Sequence, residues 1–476
     1  MADIMKLKLR TTFNFLAICF ALSAHSYATG HITLQDSVGK REVNIGAQIL
    51  DSLAITNLKN APTHYDNSMS IRFFLDGHFT KNFLFAARVN VNTDYTNRDI
   101  PDHSYNPEDG IPYNKQSENR RTWDLFAAHT SYKLEPITLL TGFDYLELGP
   151  ARRNHVILRG EQNPYRPWQD SSSRLQKPAP TPYFGYKFEL GPVEYTQYAA
   201  KLFEKKGEDK YVHIHRLGLR LPENITLGLS ETALYGTTTE PAGTNPNPDA
   251  DSSGRDFEWA YVIPFVPYVF QEHLQGDRDN ISLAFDLSIR TIRHWELYGE
   301  LLWDDMKSPT SMFDDSWWGN KWAASVGIAR DSLRLGPVLF NWLTEYTRIE
   351  PWVYTHHKGG GYTYAHYNQT LGSNLGPNSQ ELYTELDAQI SFVQLSLFAS
   401  MVAKDQSFGS NIRDIHTPDS PTDKHFLKSK TTIRYQELGG SLEVTPWSFI
   451  SVEAGYSRFF GDYEGFTARA AGSLQW

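Results

Sequence analysis

Two neighbouring stretches of this chain alternate apolar and polar side chains so strictly that few folds remain open to it. From Asn280 to Arg290, Ile281, Leu283, Phe285, Leu287 and Ile289 share one face of an extended strand, while Ser282, Ala284, Asp286, Ser288 and Arg290 share the other. From Trp295 to Trp303 the rule repeats, with Trp295, Leu297, Gly299, Leu301 and Trp303 opposite Glu296, Tyr298, Glu300 and Leu302. Thr291 to His294 reads as a tight turn, so the two stretches form a hairpin. Carboxylates along the inner row would be prohibitive in a dry core, but they are tolerable beside a wet lumen.

The same alternation recurs along the chain. Leu382, Thr384, Leu386, Ala388 and Ile390 alternate with Tyr383, Glu385, Asp387 and Gln389, and Ile450, Val452, Ala454 and Tyr456 with Ser451, Glu453, Gly455 and Ser457. Further strands are expected at 43–49, 70–79, 83–92, 122–132, 137–146, 183–190, 193–202, 212–221, 225–235, 323–330, 338–348, 394–401 and 430–444. In the last segment Phe466, Ala468, Ala470, Gly472, Leu474 and Trp476 lie opposite Thr467, Arg469, Ala471, Ser473 and Gln475. A strand ending on an aromatic resembles the closing strand of bacterial outer-membrane barrels. The count is 17 or 18, and single-chain barrels have even numbers, so 18 are expected. The fold class is all-β: one transmembrane antiparallel β-barrel.

Lys6, Lys8 and Arg10, the apolar run Phe13–Ala24 and the small-x-small Ser26-Tyr27-Ala28 have the layout of a secretory signal peptide, expected over residues 1–28. Residues 29–476 then form the barrel as one domain. Cys19, the only cysteine, falls inside the leader, which leaves the mature chain without disulfides or thiolate metal sites. Ile18 before it argues against a lipoprotein. Mean hydropathy is −0.47; a barrel tolerates this because only alternate residues meet lipid. The longest apolar run beyond the leader, Ala260–Phe270, is broken by Pro264 and Pro267, so no spanning helix is expected. A mature net charge of −12 argues against nucleic acid. The 26 Tyr, 27 Phe and 12 Trp suit interfacial girdles and equally suit stacking on sugar rings.

Polar stretches rich in Pro, Asn, Asp, Gly and Ser separate the strands at 94–121, 163–182, 237–258, 306–321, 354–379 and 406–428, and are expected to be long extracellular loops. Trp259–Leu274, aromatic and carrying two prolines, reads as a short helix or plug element packed at a barrel end. Inward positions mix Glu296, Glu300, Asp286, Arg290, Glu385 and Arg469, which reads as a salt-bridged plug rather than the one-signed lining of an open channel.

The densest unusual stretch is Glu345–Glu381, holding Arg348, Trp352, Tyr354, His356, His357, Tyr362, Tyr364, His366, Tyr367, Asn368, Asn374 and Asn378. Aromatics beside amide and imidazole groups fit a carbohydrate, which offers an apolar face to stack and hydroxyls to fix. The same residues could equally pack the loop against its neighbours. His356, His357 and His366 have no carboxylate at a recognised metal spacing, and Asp304 and Asp305 read as a solvated loop end rather than a calcium site. No G-x-S-x-G occurs. An outer-membrane phospholipase would need Ser and His on the outer wall, and no polar pair is expected to interrupt a lipid-facing row. Nothing in the pattern calls for a cofactor.

Several segments together resemble the capsule assembly Wzi family of outer-membrane proteins. They are TGFDYLELGPARRNHVILRGEQNPY (141–165), IPFVPYVFQEHLQGDRDNISLAFDLSIR (263–290), YGELLWDD (298–305) and YTRIEPWVYTHH with YTYAHYNQTLGSNLGPN (346–378). The resemblance implies an 18-stranded barrel with short helices at its periplasmic side and a lumen closed by folded loops. It further implies a non-catalytic, lectin-like role at the outer membrane of a Gram-negative bacterium. The implied partners are surface or capsular polysaccharide, with outer-membrane lipid and lipopolysaccharide around a monomer. On the family motif the ligand residues would be Arg348, Trp352, Tyr354, His356, His357, Tyr364, His366, Asn374 and Asn378. The rival readings are an open porin or polysaccharide exporter, and an outer-membrane hydrolase.

Overall fold

The computed structural model describes residues 32–35, 41–59, 63–96, 114–117, 119–168, 178–203, 209–237, 255–276, 279–305, 309–367, 369–417 and 420–475. The expected signal peptide and the terminal Trp476 lie outside them. Eighteen strands form the wall: β1 Glu42–Leu58, β2 His64–Thr80, β3 Phe83–Thr96, β4 Arg120–Leu134, β5 Ile137–Asp144, β6 Thr181–Leu190, β7 Val193–Leu202, β8 Lys210–Leu221, β9 Ile225–Gly236, β10 Asn280–Ile289, β11 Trp295–Asp305, β12 Lys321–Leu335, β13 Val338–Ile349, β14 Ser379–Ile390, β15 Val393–Lys404, β16 Ile433–Trp447, β17 Ile450–Gly461 and β18 Gly465–Gln475. Each pairs antiparallel with its sequence neighbours, and β18 returns to β1 with Gln475 opposite Gln48 and Gly465 opposite Leu58. Closure leaves no unpaired edge, as a hydrocarbon surrounding requires.

The connections sort cleanly by end. Six two-residue links (81–82, 135–136, 191–192, 336–337, 391–392 and 448–449), with 222–224 and 290–294, close one end. Gly191 and Gly336 sit at φ +61°, a region that glycine enters without steric cost and that two-residue hairpins demand. Every long connection lies at the other end, which by the rule for such barrels is extracellular.

The predicted rows hold. Asp286 pairs with Glu300 facing inward, while Leu287 and Leu297 face out. Leu217, Leu229, Leu297, Leu397, Leu438 and Leu442 are exposed on the outer face, an apolar band that only lipid can cover. Inside the extracellular half, the described residues of two connections, 145–168 and 350–378 without 368, fill the lumen. Val156, Ile157 and Leu158 pack there with Val353, Tyr354 and Tyr364 against the inward Val212, Ile214 and Leu234.

Three expectations need correction. Trp259–Leu274 neither plugs the barrel nor caps its end. Its 3₁₀ turn Trp259–Val262 and the helix α1, Tyr268–Gln275, lie against the outer face of β6–β9. The register settles the side, since Ala233 pairs with Ile281 and Glu231 with Leu283 on the outward row. Nor is α1 periplasmic, because it belongs to a connection at the long-loop end. Finally, polar residues do interrupt the outward row: Gln197, His213, His215 and Glu231 all point out of the barrel and are buried there by that segment.

The in–out pattern predicts opposite outcomes for two adjacent residues of β16. Leu442→Arg places a guanidinium near the middle of the lipid band and should cost about 2–4 kcal/mol. Glu443→Arg faces the lumen opposite Glu453 and should stay within about 0.5 kcal/mol of the parent. Urea titration of the barrel folded into vesicles measures both.

Candidate functional site

The inserted loop is held by carboxylates of the wall. Glu300 on β11 accepts from the backbone N–H of Ala151 and of Val156, each at 2.8 Å, and meets Nδ1 of His155 at 2.8 Å. Glu345 on β13 accepts from the backbone N–H of Arg152 (2.9 Å), Arg153 (3.0 Å) and Asn154 (2.8 Å), and from the Tyr298 hydroxyl (2.7 Å). Glu381 on β14 receives Arg166 (2.9 Å), Asn154 Nδ2 (2.8 Å), the Ser400 hydroxyl (2.8 Å) and Arg153 (3.3 Å). Arg152 bridges Glu296 at 2.6 Å and Asp331 at 2.8 Å. A fully buried carboxylate is tolerated when its lone pairs are filled in this way. The approach is close enough that a Cβ at Gly149 would fall 2.1 Å from a Glu300 oxygen.

The second connection, 350–378, lies over the first. Tyr354 donates from its hydroxyl to Val156 O (2.8 Å) and Tyr364 to Ile157 O (2.9 Å), their rings stacked with centroids 5.7 Å apart. Asp304 accepts from the Tyr354 N–H at 2.8 Å, with Lys321 3.7 Å away, so it is a buried anchor and not the solvated loop end expected. Arg166 donates to Asn374 Oδ1 at 3.2 Å, and Asn374 Nδ2 donates to Pro164 O at 2.7 Å.

The residues singled out in the sequence therefore do not form one constellation. Tyr354, Tyr364 and Asn374 are buried between the two inserted loops. His366 accepts from the Phe203 N–H at 3.0 Å, and Asn378 donates to Phe408 O at 2.8 Å, both buried. Arg348 points outward at the top of β13, its guanidinium over Trp322 and Phe426 and 2.6 Å from Glu350. His356 is half-buried and His357 exposed, their centroids 4.2 Å apart. Burial, and after it His357, Lys321 and Lys358, push His356 well below the ordinary imidazole range, so it is a neutral hydrogen-bonding ring.

Trp352 stands apart, at the base of an aromatic platform that the sequence reading missed. The connections 306–320 and 405–432 join edge to edge, with Trp318 N–H donating to Thr422 O and Lys424 N–H to Asp315 O, each at 2.9 Å. This lays Trp318 flat on His416, with centroids 3.7 Å apart and planes at 7°. Trp352 meets both edge-on, at 6.0 and 5.3 Å, with Phe408 5.4 Å from it and Trp317 6.2 Å from Trp318. Trp317, Trp318 and His416 keep part of their surface open, and Asp314, Asp315, Ser316 and Asn411 are exposed in the same connections. Trp352 is only 4 % exposed, and its indole N–H is buried without a partner. The tryptophan doublet in an acidic loop was the available signal.

The sequence matches no protein-family model and no curated protein. Among solved structures, the barrel is similar to Wzi of Escherichia coli, described as an outer-membrane protein involved in group 1 capsule assembly and a carbohydrate-binding β-barrel. The TM-score is 0.54 and the identity 13 %, over 90 % of this chain and 84 % of that one. A BenF-like porin of Pseudomonas fluorescens (TM-score 0.48, 10 % identity, 94 % and 100 % covered) and OpdK of Pseudomonas aeruginosa (0.45, 9 %, 91 % and 98 %) also align. At these identities the likeness is one of fold, that of an outer-membrane barrel.

Glu381→Ala tests the carboxylate sockets. It leaves Arg153 and Arg166 buried without their counter-charge and should destabilise the inserted loops by about 3–5 kcal/mol. The wall should still form. Limited proteolysis should then cut within 145–168 in the variant and not in the parent.

Proposed function

We propose that this chain binds surface or capsular polysaccharide at the outer membrane of a Gram-negative bacterium, as a monomeric member of the Wzi family and without bond chemistry. Export through a cleaved signal peptide over residues 1–28 is part of the same reading. The observation that carries it is the open Trp318–His416 stack braced by Trp352. A sugar ring laid on this platform would cover apolar ring surface with its C–H face and offer its hydroxyls to the exposed Asp314, Asp315, Ser316 and Asn411 of the same connections. The carbohydrate binding of the similar E. coli barrel points the same way. Within the motif, Trp352 alone reaches the platform, while Tyr354, Tyr364, His366, Asn374 and Asn378 hold the loops in place, and Arg348, His356 and His357 lie away from it. The lumen filled by two anchored loops favours binding over the open-porin reading.

Glycan-array binding of the refolded barrel tests the assignment. Trp318→Ala should weaken binding about tenfold, the value of one lost stacking contact near 1.4 kcal/mol. Trp352→Phe trims the indole beneath the stack to a single phenyl ring, loosens the seat of Trp318 and His416, and should weaken binding by a similar factor. Full binding in both variants would remove the platform from the site, and large steady single-channel currents from the parent would favour a porin.

A further inference from the structure

The segment between β9 and β10 re-enters the membrane zone on the outside of the barrel. It starts at the extracellular rim, where Arg255 pairs with Asp279 and the Tyr261 hydroxyl donates to Asp279 at 2.6 Å. It then descends along β6–β9 until the Phe265 ring lies 4.4 Å from Tyr195 and 6.0 Å from Phe188. Both partners sit three residues from the short turn at 191–192, so the descent covers most of the wall.

This stretch is neither strand nor continuous helix, yet its backbone is served by side chains. The Glu258 N–H donates to the Tyr235 hydroxyl (2.7 Å), the Phe265 N–H to the Tyr195 hydroxyl (3.2 Å) and the Tyr268 N–H to Glu231 (2.7 Å). Gln197 Nε2 donates to Tyr261 O (2.8 Å), and the Tyr186 hydroxyl to Val262 O (2.7 Å). Pro264 and Pro267 have no N–H to satisfy. All five partners belong to the outward rows of β6, β7 and β9. His215 holds Glu231 at 2.8 Å and lies tilted against Tyr268 with centroids 4.1 Å apart. Water would satisfy such amides unaided; hydrocarbon offers no partner, and irregular backbone persists at membrane depth only where protein supplies one.

The far side of the segment is apolar and uncovered. Trp259 is 69 % exposed, Phe270 63 % and Leu274 89 %, with Ile263 and Phe265 also exposed. Leu217, Leu227 and Leu229, on the lower parts of the strands it crosses, continue the same surface. We propose that residues 257–275 form a re-entrant strap whose outer face is covered by the acyl chains of the surrounding bilayer. Gln197, Tyr195, Tyr186, Tyr235 and Glu231 are the sockets that make its irregular backbone tolerable there. The His215–Glu231 pair is thus a structural anchor; the hydroxyl facing His215 Nδ1, at 3.4 Å, is that of Tyr195 and not of a serine. The inference rests on no part of the polysaccharide reading.

The cysteine-free mature chain allows a direct test. Ile263→Cys and Leu274→Cys would carry an environment-sensitive fluorophore on the barrel refolded into phosphatidylcholine vesicles, with Leu229→Cys as the lipid reference and Lys430→Cys as the aqueous one. Doxyl-labelled lipid should quench the strap labels at least twofold, matching Leu229, while aqueous iodide should quench only Lys430. Iodide quenching of the strap labels without doxyl quenching would overturn the proposal. So would concentration-dependent cross-linking of the strap labels without doxyl quenching, which would assign the face to a second copy. The sockets are tested by Gln197→Leu with Glu231→Leu in the Ile263→Cys background. If heat-modifiable mobility shows a folded wall, the label should become accessible to iodide; a label still quenched only by doxyl lipid would overturn the socket assignment.

Discussion

Hydrocarbon supplies no hydrogen bonds, and that one deficit organises the whole structure. The wall meets it by closing on itself, so every wall strand pairs with a neighbour on both sides. Wherever the chain leaves the wall, side chains must take over. Inside, Glu300 and Glu345 gather the amides of 151–154 and 156 as an anion gathers a nest of N–H groups. Outside, Tyr235, Tyr195 and Glu231 do the same for the strap. The two faces of one barrel use the same device on two irregular segments.

The device explains why so many charges are buried in a barrel that could have been lined with alanine and serine. An ion taken out of water is costly, and the cost is offset only when its hydrogen-bonding capacity is filled. Glu381 meets two guanidiniums, an amide and a hydroxyl, leaving little to be gained by any other arrangement. A loop so held has one low-energy position. Apolar residues of equal volume can match the stability of such a set, but would not fix the register of the loop against the wall.

How far the sequence could be read follows from which neighbours each row meets. On β10, β11 and β18 the outer neighbour is lipid and the inner neighbour polar, and the alternation named both faces correctly. On β8 that rule reverses halfway. Val212 and Ile214 face inward, against the apolar tops of the inserted loops, while His213 and His215 face out beneath the strap. Below them Leu217, Leu219 and Leu221 return to the outward row. A shift of apolar parity within one strand is the mark of a wall covered on both sides, and it is present in the sequence although single-row counting hides it. The aromatic loop 345–381 was recognisable as unusual, but its packing faces are defined by Val156, Ile157 and Asn154, some two hundred positions away. Residue chemistry cannot separate a face turned to a sugar from one turned to a loop when both ask for hydroxyl and amide partners.

The connection 350–378 ties the two irregular segments together across the rim. Tyr354 and Tyr364 fasten it to the inserted loop inside, and its turn at 359–362 crosses the wall, where Lys210 Nζ donates to Gly360 O at 3.0 Å. Tyr362 then packs with Tyr235, Tyr261 and Tyr268 on the outer face, its carbonyl receiving Asn280 Nδ2 at 2.8 Å. A segment clamped on both sides of a closed wall cannot drift, and Trp352, carried on the same segment, is fixed with it. A platform that is already ordered loses little entropy when a ligand arrives. On the proposed reading, such a surface would hold a flexible polymer through weak, repeated contacts, because each rebinding would begin from the same geometry.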